Sequence, residues 1–248
     1  MRSGVTGVDA DGLATWLFDG QVPDRDHYVL GHGFSRDLAR CRLLVPDDRM
    51  WPAEFDQRGS VGAQVRVDRQ ALFDIATRAA RADDFWAAMQ LHVGIVVWHA
   101  GLGGLSERAW WPLMESVHSD LEPHLLTTVI RTLRVDGPER AFGLLAPHSR
   151  LWMDDLSGSE HTRFLYFGGY GAKPGRLQPL IMDANVMAAL HALTGEQWVD
   201  GSRVDYVRYL YRVAEWASQL DTAGDVIERG LSRKGMTLLN RRLRPSRE

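Results

Sequence analysis

From Val67 onward, apolar residues recur at helical spacing between acidic caps and glycine or proline breaks, which commits the chain to a mostly α architecture. Asp68 can cap a helix carrying Leu72, Ile75, Ala76 and Ala79. Asp83 or Asp84 can cap the next, through Trp86, Met89, Val93 and Val96–Trp98, and the glycines from Gly101 end it. Further helices are predicted at about 106–118, 120–135 and 137–146, the last started by Pro138 after a Val135-Asp136-Gly137 break. Another is predicted over Ala184–Thr194, bounded by Asp183 and Gly195, then one at about 204–220 and a final one at about 221–231. Residues 1–66 differ. They are rich in Gly, Pro and Asp, and segments such as GHGF (31–34) and VPDD (45–48) look like turns between short elements, with short strands possible. The expected organisation is therefore an irregular region at 1–66 followed by a helical domain at 67–248.

Composition narrows the function. Cys41 is the single cysteine, which excludes an internal disulfide, a cysteine-ligated iron–sulfur cluster and a paired-cysteine zinc site. His118, Glu122 and His124 miss the H-E-x-x-H pattern, and GGYGAKPG (168–175) misses both the P-loop and the dinucleotide fingerprints. No metal or cofactor is expected. No apolar run reaches the length of a membrane span, and the first residues lack the apolar core of a signal peptide, so the expectation is a cytoplasmic monomer without membrane contact. The net charge of −3 does not announce a nucleic-acid partner, but its distribution does. From Arg229 onward seven basic residues face one acid, Glu248, which makes either a phosphate-binding stripe or a solvated tail.

The stretch PLIMDANVMAALHALTG (179–195) is an extended apolar lead, an acid, then an amphipathic helix. A carboxylate at a helix start accepts backbone N–H bonds and faces the positive end of the helix dipole. Taken alone, Asp183 is a helix cap. Twenty residues upstream of it, Arg163 closes the stretch Leu156-Ser157-Gly158-Ser159-Glu160-His161-Thr162-Arg163.

These two segments together resemble the helix-hairpin-helix superfamily of DNA glycosylases, nearest the 8-oxoguanine glycosylase branch, over about residues 120–230. Pro179, Asp183, Val186, Leu193 and Gly195 match the family's catalytic-aspartate segment, and Leu156 and Gly158 match the hairpin at 156–163. The hairpin's proline and second glycine are missing, and one residue is inserted. The resemblance implies a two-lobed helical fold, double-stranded DNA with a modified base as partner, and Asp183 as the catalytic carboxylate. It also implies DNA contacts from Ser157, Gly158, Ser159, His161 and Arg163, with Lys173 of the GYGAKPG loop as a further candidate. Arginine stands where bifunctional members carry the Schiff-base lysine, so the implied enzyme is monofunctional and leaves an abasic site. Arg163 then binds a phosphate or pairs with an acid.

An extruded base needs an apolar or aromatic pocket. Trp110, Trp111 and Trp152 are the candidates for pocket or wedge, with Trp16 and Trp51 behind them; each can equally be core. The resemblance leaves the substrate open; one class is an oxidised or alkylated base in repair. The resemblance extends to bacterial anti-phage glycosylases that excise glucosylated hydroxymethylcytosine. The rival readings are a non-catalytic helix-hairpin-helix DNA-binding protein and a helical interaction protein with no nucleic-acid partner.

Overall fold

A computed structural model describes residues 9–56, 64–99, 124–146, 157–171 and 177–243. The chain is mostly helical, with short strands near its start. Helix α1 (Ala10–Phe18) is capped by Asp9, whose side chain accepts from the Gly12 N–H at 2.8 Å. A π-helical turn (Asp26–Leu30) leads into β1 (Gly33–Asp37), followed by the short helices α2 (Leu38–Arg42) and α3 (Ala53–Asp56). Strand β2 (Gln64–Asp68) pairs antiparallel with β1, Gly33 opposite Asp68 and Asp37 opposite Gln64. A Cβ on Gly33 would lie 2.2 Å from the Val67 carbonyl oxygen, so only glycine allows that approach. The ribbon straddles the division expected at residue 66.

Asp68 ends β2 and starts α4 (Arg69–Ala82) by accepting from the Ala71 N–H at 2.9 Å. Asp84 does the same for Ala87 and α5 (Phe85–His99). Helix α5 is apolar all round, and from Ala87 to Trp98 only Gln90 escapes full burial, so it forms the axis of the core. The carbonyls of its last turn meet the buried Arg36 of β1, whose guanidinium donates to Val97 and Trp98 at 2.8 Å each. That clamp fixes Trp98 and His99 against the ribbon.

Helix α6 (Leu125–Val135) packs beside α5, and α7 (Pro138–Leu145), separated from it by Gly137 at φ 93°, packs on α6. Then follow α8 (Gly158–Gly168), α9 (Ala184–Thr194), α10 (Arg203–Gln219) and α11 (Gly224–Leu243). The helix predicted at 106–118 lies outside the described residues. Two expectations need correction. The hairpin segment from Gly158 onward, with the apolar FLYF after it, is one continuous helix capped by Ser157. The last helix does not end near Leu231 but runs to Leu243. Its extra turns are held by backbone proximity, because a Cβ on Gly235 would fall 1.7 Å from the Asn185 carbonyl oxygen of α9. Arg233 donates to the Leu17 carbonyl at 3.0 Å and Lys234 pairs with Asp19 at 3.0 Å, so part of the basic stripe ties α11 to α1.

Among the described residues no helix is long and apolar enough to cross a membrane.

Candidate active site

Asp183 is placed by the segment that leads into it. Leu180, Ile181 and Met182 are 1–3% exposed, so their peptide groups need partners inside the protein. Side chains supply them. Tyr206 of α10 bonds both the N–H and the carbonyl of Leu180 at 3.3 and 3.2 Å, and Tyr209 donates to the Ile181 carbonyl at 2.9 Å. Thr162 of α8 accepts from the Met182 N–H at 3.0 Å. The extended lead is thereby fixed between α8 and α10. Asp183 ends it with Oδ1 accepting from the Val186 N–H at 3.0 Å, the cap geometry expected for α9. Its other oxygen lies 3.6 Å from the Arg163 guanidinium.

Arg163 is 5% exposed, and its side chain turns toward acids. One guanidinium nitrogen reaches Glu160 at 2.5 Å and the other faces Asp183. Glu160 also bonds the Ser157 hydroxyl and lies 3.8 Å from His99 Nε2. One buried guanidinium thus bridges two carboxylates, and of the two roles open to Arg163 the structure displays the acid pairing.

Asp183 opens into a cleft of about 440 Å³. One wall is the start of α8, with Ser157, Ser159, Glu160 and Arg163. A second is the N-terminus of α9, with Asp183, Ala184 and Asn185. Opposite stand His32 and Phe34 of the β1 region with Trp98 and His99 of α5. Helix α11 closes the cleft with Glu228, Arg229, Ser232 and Met236, and Arg69 lies beneath. The His32, Phe34 and Trp98 rings form one cluster, with centroids 5.1–5.7 Å apart in edge or tilted contact.

Charge in the cleft is arranged in pairs. Arg69 and Glu228 are 2% and 1% exposed and meet through two bonds of 2.6 and 3.1 Å. Burial pushes the Glu228 pKa up, and Arg69 opposes it. Burial works against the Arg69 charge too, but Glu228 and Tyr166 outweigh it and hold the guanidinium protonated. Tyr166 accepts from Arg69 at 3.0 Å and donates to Asp225 at 3.2 Å, and Asp225 in turn pairs with Arg25 at 2.7 Å. The histidines stay neutral. Burial, then Arg69 and Arg229, bring His32 down to about 2; burial and Arg163 bring His99 down to about 4.

Of the residues expected at the site, Asp183, Arg163, Ser157 and Ser159 meet in this cleft. Gly158 sits beside it, and a Cβ there would lie 2.2 Å from the Gly201 nitrogen, so its glycine allows the α8 start to pack on that turn. His161 is 2% exposed and lies on the core side of α8. Trp51 is core, stacked edge-on against Phe55, while Trp16 is partly buried on the core margin. Lys173, Trp110, Trp111 and Trp152 lie outside the described residues. Sequence reasoning missed His32, Phe34, Trp98, His99 and Glu228, and it named Arg229 only as the start of the C-terminal basic stripe. The signal available was the alternation of His32 and Phe34 in GHGF, which puts both rings on one face of a strand.

His161 makes acid a test of the packing. Burial, with His92 adding to it, lowers its pKa from 6.5 to about 4. The unfolded chain therefore binds the proton first as pH falls. The stability held above about pH 6.5 is lost between there and about pH 4, on the order of 3 kcal/mol for this one group. Urea unfolding at pH 7 and pH 4.5 should show that loss, and His161→Leu should flatten it; an unchanged pH slope in that variant would assign the loss to other groups.

Among the described residues no group of three or more His, Cys, Asp or Glu is arranged to hold a metal ion. Searches of curated proteins and of solved structures find no match to the chain. A family model described as "Putative 8-oxoguanine DNA glycosylase OGG-like protein" matches residues 27–232, from the π-helical turn to the cleft face of α11. A match over that span, which takes in all the cleft residues named above except Met236, shows that the chain belongs to the OGG-like DNA glycosylase family.

Proposed function

We propose that this glycosylase is monofunctional, that Asp183 is its catalytic carboxylate, and that its product is a free base and an abasic site. The observation that carries the reading is the pairing of Asp183 with Arg163 in the cleft: a carboxylate held at a helix start, faced by a guanidinium, with no lysine among the described residues that line the cleft.

The chemistry follows from those two groups. When the bond from C1′ to the base nitrogen breaks, its electron pair leaves with the base and positive charge develops on the sugar. The Asp183 carboxylate stabilises that charge, and a water oxygen then bonds C1′. Asp183 takes the proton the water loses, and the departed base finally accepts it. Arg163 cannot open a Schiff-base route, because a guanidinium, here paired with Glu160 and Asp183, offers no amine to attack the sugar. Duplex DNA is held at the α8 start, where backbone N–H groups near Ser157, Gly158 and Ser159 meet a phosphate. Lys173 adds a second phosphate contact. The released base is a damaged base in base-excision repair, or glucosylated hydroxymethylcytosine in defence against phage.

The test uses duplexes carrying single modified bases of each kind. Base release should appear as strand breakage only after alkali, with no covalent complex on borohydride reduction. Breakage without alkali or a trapped complex would overturn the monofunctional assignment. Salt-sensitive duplex binding with no release from any substrate would favour a non-catalytic DNA-binding protein instead.

A further inference from the structure

We propose that Arg229 is the specificity-determining residue of the cleft, selecting a neutral extruded base with an exocyclic oxygen and rejecting a cationic N-alkylated one; the assignment rests on the proposed glycosylase chemistry. Arg229 differs from the other two arginines of the cleft. Arg69 is spent on Glu228 and Arg163 on Glu160 and Asp183. Among the described residues no carboxylate lies within ion-pair distance of the Arg229 guanidinium. Its centre sits 5.8 Å from the Tyr28 ring, and its Nε is shut off from solvent without a hydrogen-bond partner. Burial and the neighbouring Arg69 both act against its charge. A cation in such a place has unmet demand for an acceptor.

The cleft is polarised along its length. Asp183, Glu160 and Arg163 leave one negative charge at the sugar end. Arg69, Glu228 and Arg229 leave one positive charge beside the aromatic wall, where Arg69 and Arg229 both bear on the neutral His32 ring. That sign pattern matches a reaction in which the sugar becomes positive and the leaving base negative. A neutral base departs with an extra electron pair and gains from Arg229. A cationic base departs neutral, gains nothing from Arg229 and is repelled on entry. A backbone phosphate is the other anionic candidate. The position beside Tyr28 and the buried Arg69–Glu228 pair favours the base, the one part of a nucleotide that is extruded into a pocket.

The experiment reads binding without turnover. Asp183→Asn protein is titrated with duplexes containing 8-oxoguanine, glucosylated hydroxymethylcytosine, 7-methylguanine (cationic) or unmodified guanine, before and after adding Arg229→Gln. At least one duplex with a neutral modified base should bind about tenfold tighter than the cationic 7-methylguanine duplex, and Arg229→Gln should bring that ratio near one. The unmodified duplex, whose guanine stays stacked and never reaches Arg229, should bind equally with and without the change, and Arg229→Lys should restore part of the ratio. Equal or tighter binding of 7-methylguanine overturns the proposal. So does an equal loss on all four duplexes with a shallower salt slope, which marks a phosphate contact. Base release by the unaltered protein is scored separately, and its absence counts against the proposed chemistry alone.

Discussion

Asp183→Asn should lower the single-turnover rate of base release by about a thousandfold while leaving the protein folded. The size follows from removing the carboxylate proposed to face the reacting sugar, where a single electrostatic stabiliser is worth about two to three orders of magnitude. The choice of asparagine separates two roles carried by the same atoms. Asparagine caps a helix as well as aspartate does, so the bond to the Val186 N–H survives. What is lost is the charge, with its helix-dipole term of about 0.3–1 kcal/mol and the 3.6 Å pairing with Arg163. Arg163 keeps its 2.5 Å contact with Glu160, so no guanidinium is left buried and unpaired. The melting temperature should fall by only a few degrees. Asp183→Ala should lose about 1 kcal/mol more, because the cap goes as well. Single-turnover assays and thermal melts on the same preparations check both halves. If Asp183→Asn retained base release within threefold of the parent, Asp183 would be a cap and nothing more.

The capping role is also the reason this part of the site was legible in the sequence. Asp183 and Gly195 bound α9 by short-range chemistry, a side chain bonding three residues ahead and a glycine at φ 72°. The same holds for Asp68 and α4, Asp84 and α5, and Gly137-Pro138 before α7. The turns of α11 beyond Leu231 gave no such signal. Gly235 against the α9 backbone is a close approach without apolar surface, and the arginines around it look like a solvated tail until their partners are known. The face of α8 was misread for a related reason. Treated as a hairpin, residues 157–163 all point outward. As a helix, His161 lies about 200° around from Arg163, so one enters the core while the other enters the cleft. The aromatic wall was the least legible. It joins a five-residue strand to the end of a helix some sixty residues later, and the contacts that bring the two together, the Arg36 clamp on Val97 and Trp98 and the Trp98 indole N–H on the His32 carbonyl, are long-range and leave no local signal.

That clamp and the buried acids under the cleft suggest how the site keeps its shape. The cleft has walls from β1, α5, α8, α9 and α11, elements far apart in sequence. Apolar packing alone is tolerant of small slides between helices. Hydrogen-bonded charges are not. Arg36 locks the ribbon to α5, Thr162 locks α8 to the lead of Asp183, and Arg69 locks α4 to α11. Each lock stands next to a cleft wall.

Glu228→Gln should therefore destabilise the protein by about 3–5 kcal/mol, lowering the melting temperature by roughly 10 °C, because it leaves the Arg69 guanidinium charged and buried without its counterion. Arg69 is 2% exposed and keeps only neutral acceptors, the Tyr166 hydroxyl at 3.0 Å and the one amide oxygen of the new glutamine, while the glutamine NH2 is turned toward its donors. The double change Arg69→Met with Glu228→Leu should recover most of that loss. It removes both charges together and fills similar volume, and Tyr166 can still donate to Asp225 at 3.2 Å. The expected non-additivity is large, since neither residue has a second ionic partner in the structure's described part that could replace the other. Urea unfolding of the two single variants and the double one measures the coupling directly, and additive losses would mean the pair is not the lock between α4 and α11. Base release in the double variant then separates stability from positioning. If the pair sets where Arg229 and Asp183 stand relative to the aromatic wall, the refolded double variant should be stable and still show a raised KM for its substrate.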